Sequence, residues 1–122
     1  MIDFKNKVLF KLRKTNQTPP NVEDLFVEGE EIIGSYKALR DYVVFTTARI
    51  ISVNVQGMTG KKIDYTSLPY KKVQAFSVET AGVLDMDSEL DLVFSGLGKV
   101  KFEFTGKSDI VAIGNVISEY IL

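Results

Sequence analysis

From residue 31 onward, apolar and polar positions alternate in short runs, and turn residues separate the runs. Residues 31–39, 42–47, 49–55 and 61–66 read as four successive strands, the second dense in β-branched and aromatic side chains. Leu39-Arg40-Asp41 makes a tight turn, and Gln56-Gly57-Met58-Thr59-Gly60 a glycine-containing hairpin loop. In the third strand Ile51, Val53 and Val55 face one way and Ser52 and Asn54 the other. Pro69 opens a fifth strand, 70–79, since a missing donor does least harm at a strand's first residue. Gly82 marks the next turn. Residues 89–94 form a sixth strand with Leu90, Leu92 and Phe94 on one face. After Ser95-Gly96-Leu97-Gly98, Val100, Phe102 and Phe104 alternate with Lys101 and Glu103 in a seventh.

The two ends change period. Beyond Gly106, Ile110, Ile113, Ile117 and Ile121 share one helical face with Val116 and Tyr120. Gly114 lies in that face and permits close approach to a sheet; Ser108 is the expected cap, and Asp109 suits the helix dipole. At the other end, residues 2–14 read as an amphipathic helix. Phe4, Val8 and Leu12 form its stripe, with Ile2 and Leu9 beside it, and Lys7, Lys11 and Lys14 lie opposite. Thr18-Pro19-Pro20 stops it, and Asn21 then caps a short turn bearing Glu23 and Asp24. The expected organisation is an N-terminal helix and Pro-Pro linker over 1–20, then one domain over 21–122. That domain is mainly β, a barrel or sandwich of about seven antiparallel strands capped by the C-terminal helix.

Composition narrows the chemistry. A chain of 122 residues with 45% apolar and 25% charged residues has the size and make-up of one globular domain. It has no cysteine, which excludes disulfides and thiolate metal sites and suits a reducing cytoplasm. It has no histidine, which removes the commonest general base and transition-metal ligand. A net charge of −1 gives no strong pull toward nucleic acid. The start, Met1-Ile2-Asp3-Phe4-Lys5, lacks a signal-peptide pattern, and no apolar run approaches the roughly 20 residues of a membrane span. The expected location is cytoplasmic.

Several local words have a familiar order. Residues 40–51 (RDYVVFTTARII), Gln56-Gly57-Met58-Thr59-Gly60-Lys61-Lys62, Leu68-Pro69-Tyr70 and residues 76–82 (FSVETAG) resemble the bacterial pleckstrin-homology (PH-like) domains over roughly residues 25–122. The resemblance implies the seven-stranded, helix-capped architecture. It implies no assigned ligand, and it associates the family with self-assembly into ring-like oligomers.

Three groups of charged residues are candidate contacts. Lys5, Lys7, Lys11, Arg13 and Lys14 stand against the single acid Asp3, a pattern suited to an anionic membrane if the helix is not packed on its own domain or a neighbour. Lys37 and Arg40 flank the first hairpin turn, where those eukaryotic domains of this shape that bind phosphoinositides typically carry basic residues; Arg49, Lys61 and Lys62 could add charge there but read first as solvated or paired strand residues. Specific headgroup recognition demands more converging donors than this short turn supplies. Glu79, Asp85, Asp87, Glu89 and Asp91 form an acidic stretch with no intervening cation. Its spacing fails the EF-hand pattern, because Leu90 and Gly96 stand where glycine and glutamate are required. The basic start and this acidic stretch are complementary in sign and suit a head-to-tail contact between subunits. Gly57-Met58-Thr59-Gly60-Lys61-Lys62 lacks the spacing, the Ser or Thr and the following helix of a phosphate loop.

No nucleophile is paired with a base, so the reading names no catalytic residue, metal or cofactor. The function expected is a non-enzymatic scaffold or interaction module that self-associates into a cyclic homo-oligomer, with a further protein partner open. The alternative is a peripheral membrane domain using the basic N-terminal helix. A third reading, an enzyme or small-ligand binder, requires a deep pocket with converging polar groups.

Overall fold

The computed structural model describes residues 1, 3, 4, 9–83, 87–106 and 108–122. Eight strands, β1 (Leu9–Thr15), β2 (Ile32–Ala38), β3 (Asp41–Thr46), β4 (Arg49–Gln56), β5 (Lys62–Pro69), β6 (Val73–Glu79), β7 (Ser88–Phe94) and β8 (Gly98–Phe104), precede one helix, α1 (Ile110–Ile121). The sheet runs in the order β5-β4-β3-β2-β1-β8-β7-β6. All seven expected strands are present, and α1 lies where the change of period places it.

The eighth strand corrects the expected N-terminal helix. Residues 9–14 belong to β1, and the expected helix's residues 2 and 5–8 lie outside the described residues. β1 joins the two halves of the sheet. Leu9 and Leu12 pair parallel with Phe102 and Phe104 of β8, and Arg13–Thr15 pair antiparallel with β2. At Lys11 the backbone takes φ 60, an irregularity that carries the strand from one neighbour to the other. Leu12 is fully buried and Phe4 nearly so, so both reach the core as the apolar pattern requires, on a different backbone.

The main core lies inside the curved sheet. Tyr36, Phe45, Phe102 and Phe104 pack edge-on or tilted, with Tyr36 and Phe104 centroids 4.8 Å apart. Ile110, Ile113 and Ile117 of α1 close it. Gly114 permits the helix its approach: a Cβ there would lie 3.3 Å from Val78 Cγ2. The helix begins at Asp109, whose backbone N–H donates to the Tyr36 hydroxyl at 3.0 Å, while Ser108 pairs with Ser88. Asp109, not the expected Ser108, occupies the capping position, and its side chain makes no cap bond.

The outer face of β3 and β4 is also covered. Val44, Ile51 and Val53 pack with Val22, which the β1–β2 connection lays across them. That connection is pinned by Tyr65, whose hydroxyl donates to the Pro20 carbonyl at 2.7 Å. Pro69 ends β5 and does not open β6. Tyr70–Lys72 make one 3-10 turn, because the Tyr70 ring is drawn into the core and its hydroxyl donates to the Thr46 carbonyl at 2.7 Å.

Candidate functional site

The β3–β4 turn organises one end of the sheet. The Thr46 hydroxyl oxygen accepts from the backbone N–H of Ala48 at 3.1 Å and of Arg49 at 3.0 Å, which folds the turn back on itself. Its proton goes to Glu30 Oε2 at 2.6 Å. Arg49 starts β4 there and reaches across to the β1–β2 connection. Its Nε and Nη2 donate to the two Glu30 oxygens, both at 2.9 Å, Nη2 also donates to the Leu25 carbonyl, and Nη1 donates to Ser67 at 3.1 Å. The Val27 N–H supplies a further bond to Glu30 Oε1 at 3.1 Å. Burial pushes the Glu30 carboxyl pKa up, but the bonds from Arg49, Thr46 and Val27, with the Arg49 charge, together hold it below its ordinary value.

Above this pair lies an open recess of about 340 Å³, lined by Val27, Glu30, Ala48, Arg49, Pro69, Lys71 and Tyr120. Tyr120 comes from the last turn of α1, its ring 5.6 Å from that of Tyr70. Desolvation, with the neighbouring Tyr120 and Glu30 as further causes, raises the pKa of the buried Tyr70 hydroxyl. The recess is a mainly apolar mouth, with Lys71 in its lining, over the Glu30–Arg49 pair whose groups bond mostly to one another and to the domain.

At the opposite end of β4, the β2–β3 and β4–β5 turns meet. Arg40 Nη1 donates to the Gly57 carbonyl at 2.7 Å and ties them together. Asp41 turns inward to accept from the Val55 N–H at 2.9 Å and Asn54 at 3.1 Å. Leu39 and Met58 stand wholly exposed on the two tips.

This geometry divides the expected basic set. Lys37, Arg40, Lys61 and Lys62 gather about the hairpin tips, with Lys37 over the Tyr42 ring. Arg49 lies at the other end, held by Glu30. Of the N-terminal set, Lys5 and Lys7 lie outside the described residues, and Lys11 and Arg13 are exposed on β1. Lys14 pairs with Asp109, whose hydrogen bond and charge raise the lysine pKa. The amphipathic helix on which membrane contact was expected is therefore replaced by a sheet strand over residues 9–14.

The acidic stretch is partly neutralised from within. Glu89 and Asp91 face Lys101 and Lys99 of β8 at 3.6 and 3.2 Å. Glu79 is exposed at the end of β6, Asp87 is half-buried before β7, and Asp85 lies outside the described residues. Among the described residues, no three acids are grouped so as to hold a metal ion. No helix among them is long and apolar enough to cross a membrane.

Reading the sequence did not find Glu30, Thr46, Val27 or Tyr120 as members of one site. Glu30 and Arg49 are 19 residues apart on either side of a two-strand hairpin, and no local pattern relates them.

The comparisons with known proteins agree with this architecture. Residues 3–121 match the family described as Bacterial PH domain. The uncharacterised Bacillus subtilis protein YjqA is 44% identical over 96 residues, 77% of each chain. A second uncharacterised protein of that organism, YozO, is 32% identical over 100 residues, 82% of this chain and 86% of its own. Among solved structures, a DUF1696-family protein with a pleckstrin-homology domain from Shewanella loihica superposes with a TM-score of 0.75 at 36% identity. That match covers 93% of this chain and 99% of the other. These relatives indicate no enzymatic family. With the helix-capped sheet described above, these matches show that the chain belongs to the bacterial pleckstrin-homology domain family.

Proposed function

We infer that this domain is a non-enzymatic interaction module that works by associating with copies of itself. The observation that carries the reading is the recess. Its mouth is mainly apolar (Val27, Ala48, Pro69 and the Tyr120 ring) with Lys71 beside it, and Glu30 and Arg49 beneath it are engaged with each other. Four of the five Arg49 N–H donors are spent inside the domain, and both Glu30 oxygens accept at least two bonds. Such a surface offers an apolar seat for a side chain rather than groups that move protons or hold a phosphate.

Association with a second copy, closing into a cyclic assembly, is what the family resemblance implies. The sheet also ends in β5 and β6, each hydrogen-bonded to one neighbouring strand. Edges of this kind lend themselves to contacts between chains. The test is the solution mass by light scattering across a dilution series. A fixed multiple of the 13.6 kDa chain is expected. A monomer at every concentration would overturn the reading.

A further inference from the structure

Exposed apolar side chains stand at both ends of the β3–β4–β5 sheet, and the charged side chains around them sum to opposite sign. At the hairpin end these are Leu39 and Met58. Leu39 occupies φ 55, a left-handed conformation that suits glycine, so a leucine there is disfavoured by its backbone as well as by its contact with water. Neither feature helps the chain to fold. The tips are surrounded by Lys37, Arg40, Lys61 and Lys62, while Asp41 is turned inward.

At the recess end, Val27 is 64% exposed and Tyr120 47%. The segment carrying Val27 runs through Glu23, Asp24, Glu28 and Glu31, all exposed, with no lysine or arginine between residues 22 and 31. Lys71 and Lys72 are also exposed at that end, and Arg49 is committed to Glu30. The eight residues of β4 separate the two ends by roughly 25 Å at strand rise, so a chain cannot place its own tip in its own recess.

We propose that the recess of one copy receives the Leu39–Met58 hairpin tip of a second copy. The proposal rests on the self-association reading and names its surface. The apolar tip enters the mouth formed by Val27, Ala48, Pro69 and Tyr120, and the tip's cations meet the acids of the 22–31 segment. The contact joins two different surfaces of the same chain. When the tip of the second copy fills the recess of the first, the first still has its tip free and the second its recess, so the assembly closes into a ring or runs on as a filament. Because charge complementarity contributes, added salt shifts the assembly toward monomer.

The deciding experiment mixes two variants. One carries Leu39→Glu and Met58→Glu and keeps its recess. The other carries Val27→Arg and Glu28→Lys and keeps its tip. All four positions are exposed, and circular dichroism with thermal melting checks that each variant is folded. Each alone is expected at 13.6 kDa by light scattering, and the equimolar mixture at twice that mass, a single 1:1 dimer. If the unmodified chain assembles and the two variants keep its mass, the contact lies elsewhere. The proposal then falls while self-association stands. Two monomeric variants that do not combine also overturn it. An unmodified chain that stays monomeric removes both readings. If that monomer binds anionic phosphatidylserine vesicles and loses them with the Leu39→Glu, Met58→Glu change, the tip serves a lipid surface instead.

Discussion

Arg49 and Glu30 meet as a charge pair in which the carboxylate has almost no contact with water. The Glu30 side chain is 1% exposed, and Arg49 Nη2 lies 2.9 Å from its Oε1. The pair fastens the β1–β2 connection to the β3–β4 turn and floors the recess. Removing one member leaves the other uncompensated. Arg49→Met is therefore expected to cost about 3–5 kcal/mol in urea unfolding. Glu30→Gln with Arg49→Met together should cost clearly less than the two single changes added, the signature of coupled neighbours.

The same pair sets a pH dependence with a definite sign. The folded-state pKa of Glu30 lies below its ordinary value of 4.5. An unfolded chain therefore takes up this proton first as pH falls, and the stabilisation is complete above that value. It is lost as pH falls through the depressed folded pKa. Urea midpoints measured from neutral to acid pH should decline less steeply in Glu30→Gln than in the unmodified chain. Equal slopes would show that Glu30 titrates normally in the folded state.

Leu12 decides between strand and surface helix at the N-terminus. It is fully buried between β8 and the rest of the core. Leu12→Ala is expected to destabilise the fold by about 2–5 kcal/mol, as for other large-to-small core changes. On a helix lying against a membrane or a neighbour, the same change would leave the melting temperature of the monomer nearly unmoved. Differential scanning calorimetry separates the two.

The strands and α1 were legible where one period was unambiguous. Val100, Phe102 and Phe104 alternate without exception, and Ile110, Ile113 and Ile117 cannot share a face except on a helix. The N-terminus was not legible, because a short apolar run satisfies both periods. Bonds with β2 and β8, brought from far along the chain, settle it as strand. Pro69 misled for a related reason: its ring fits either end of a strand, and the Tyr70 hydroxyl bond to Thr46 selects the turn that follows. Arg49 was legible as a solvated or paired strand cation, but its partner Glu30 was not, since tertiary folding joins them. The turn at Leu39 was legible, but its left-handed backbone was not, because leucine gives no local sign of it.

Gly114 was expected to let the helix approach the sheet, and its contacts allow a graded test. Alanine there gains about 1 kcal/mol of helix propensity, but its Cβ would lie 3.3 Å from Val78 Cγ2, so the two effects nearly cancel. Leucine adds volume that Val78 and Phe76 cannot accommodate, and should cost about 1–3 kcal/mol. In a Val78→Ala background the crowding is relieved, and Gly114→Ala should become stabilising in thermal melts. If it remains neutral there, Val78 is not what limits the approach.

Leu39 separates stability from association. Its φ of 55 is strained for leucine, and its side chain touches water almost completely. Glycine removes the strain, at some cost in unfolded-state entropy. Leu39→Gly is therefore expected to raise monomer stability by up to about 1 kcal/mol. The same change removes half of the apolar tip, so self-association should weaken while the monomer melts higher. A residue retained only for folding would show the opposite pairing, or no change in either. Melting measured at a dilution where the chain is monomeric, set beside light scattering at high concentration, reads both effects on one protein. A higher melting temperature with unchanged assembly would mean that the tip is strained for a reason unconnected with the recess.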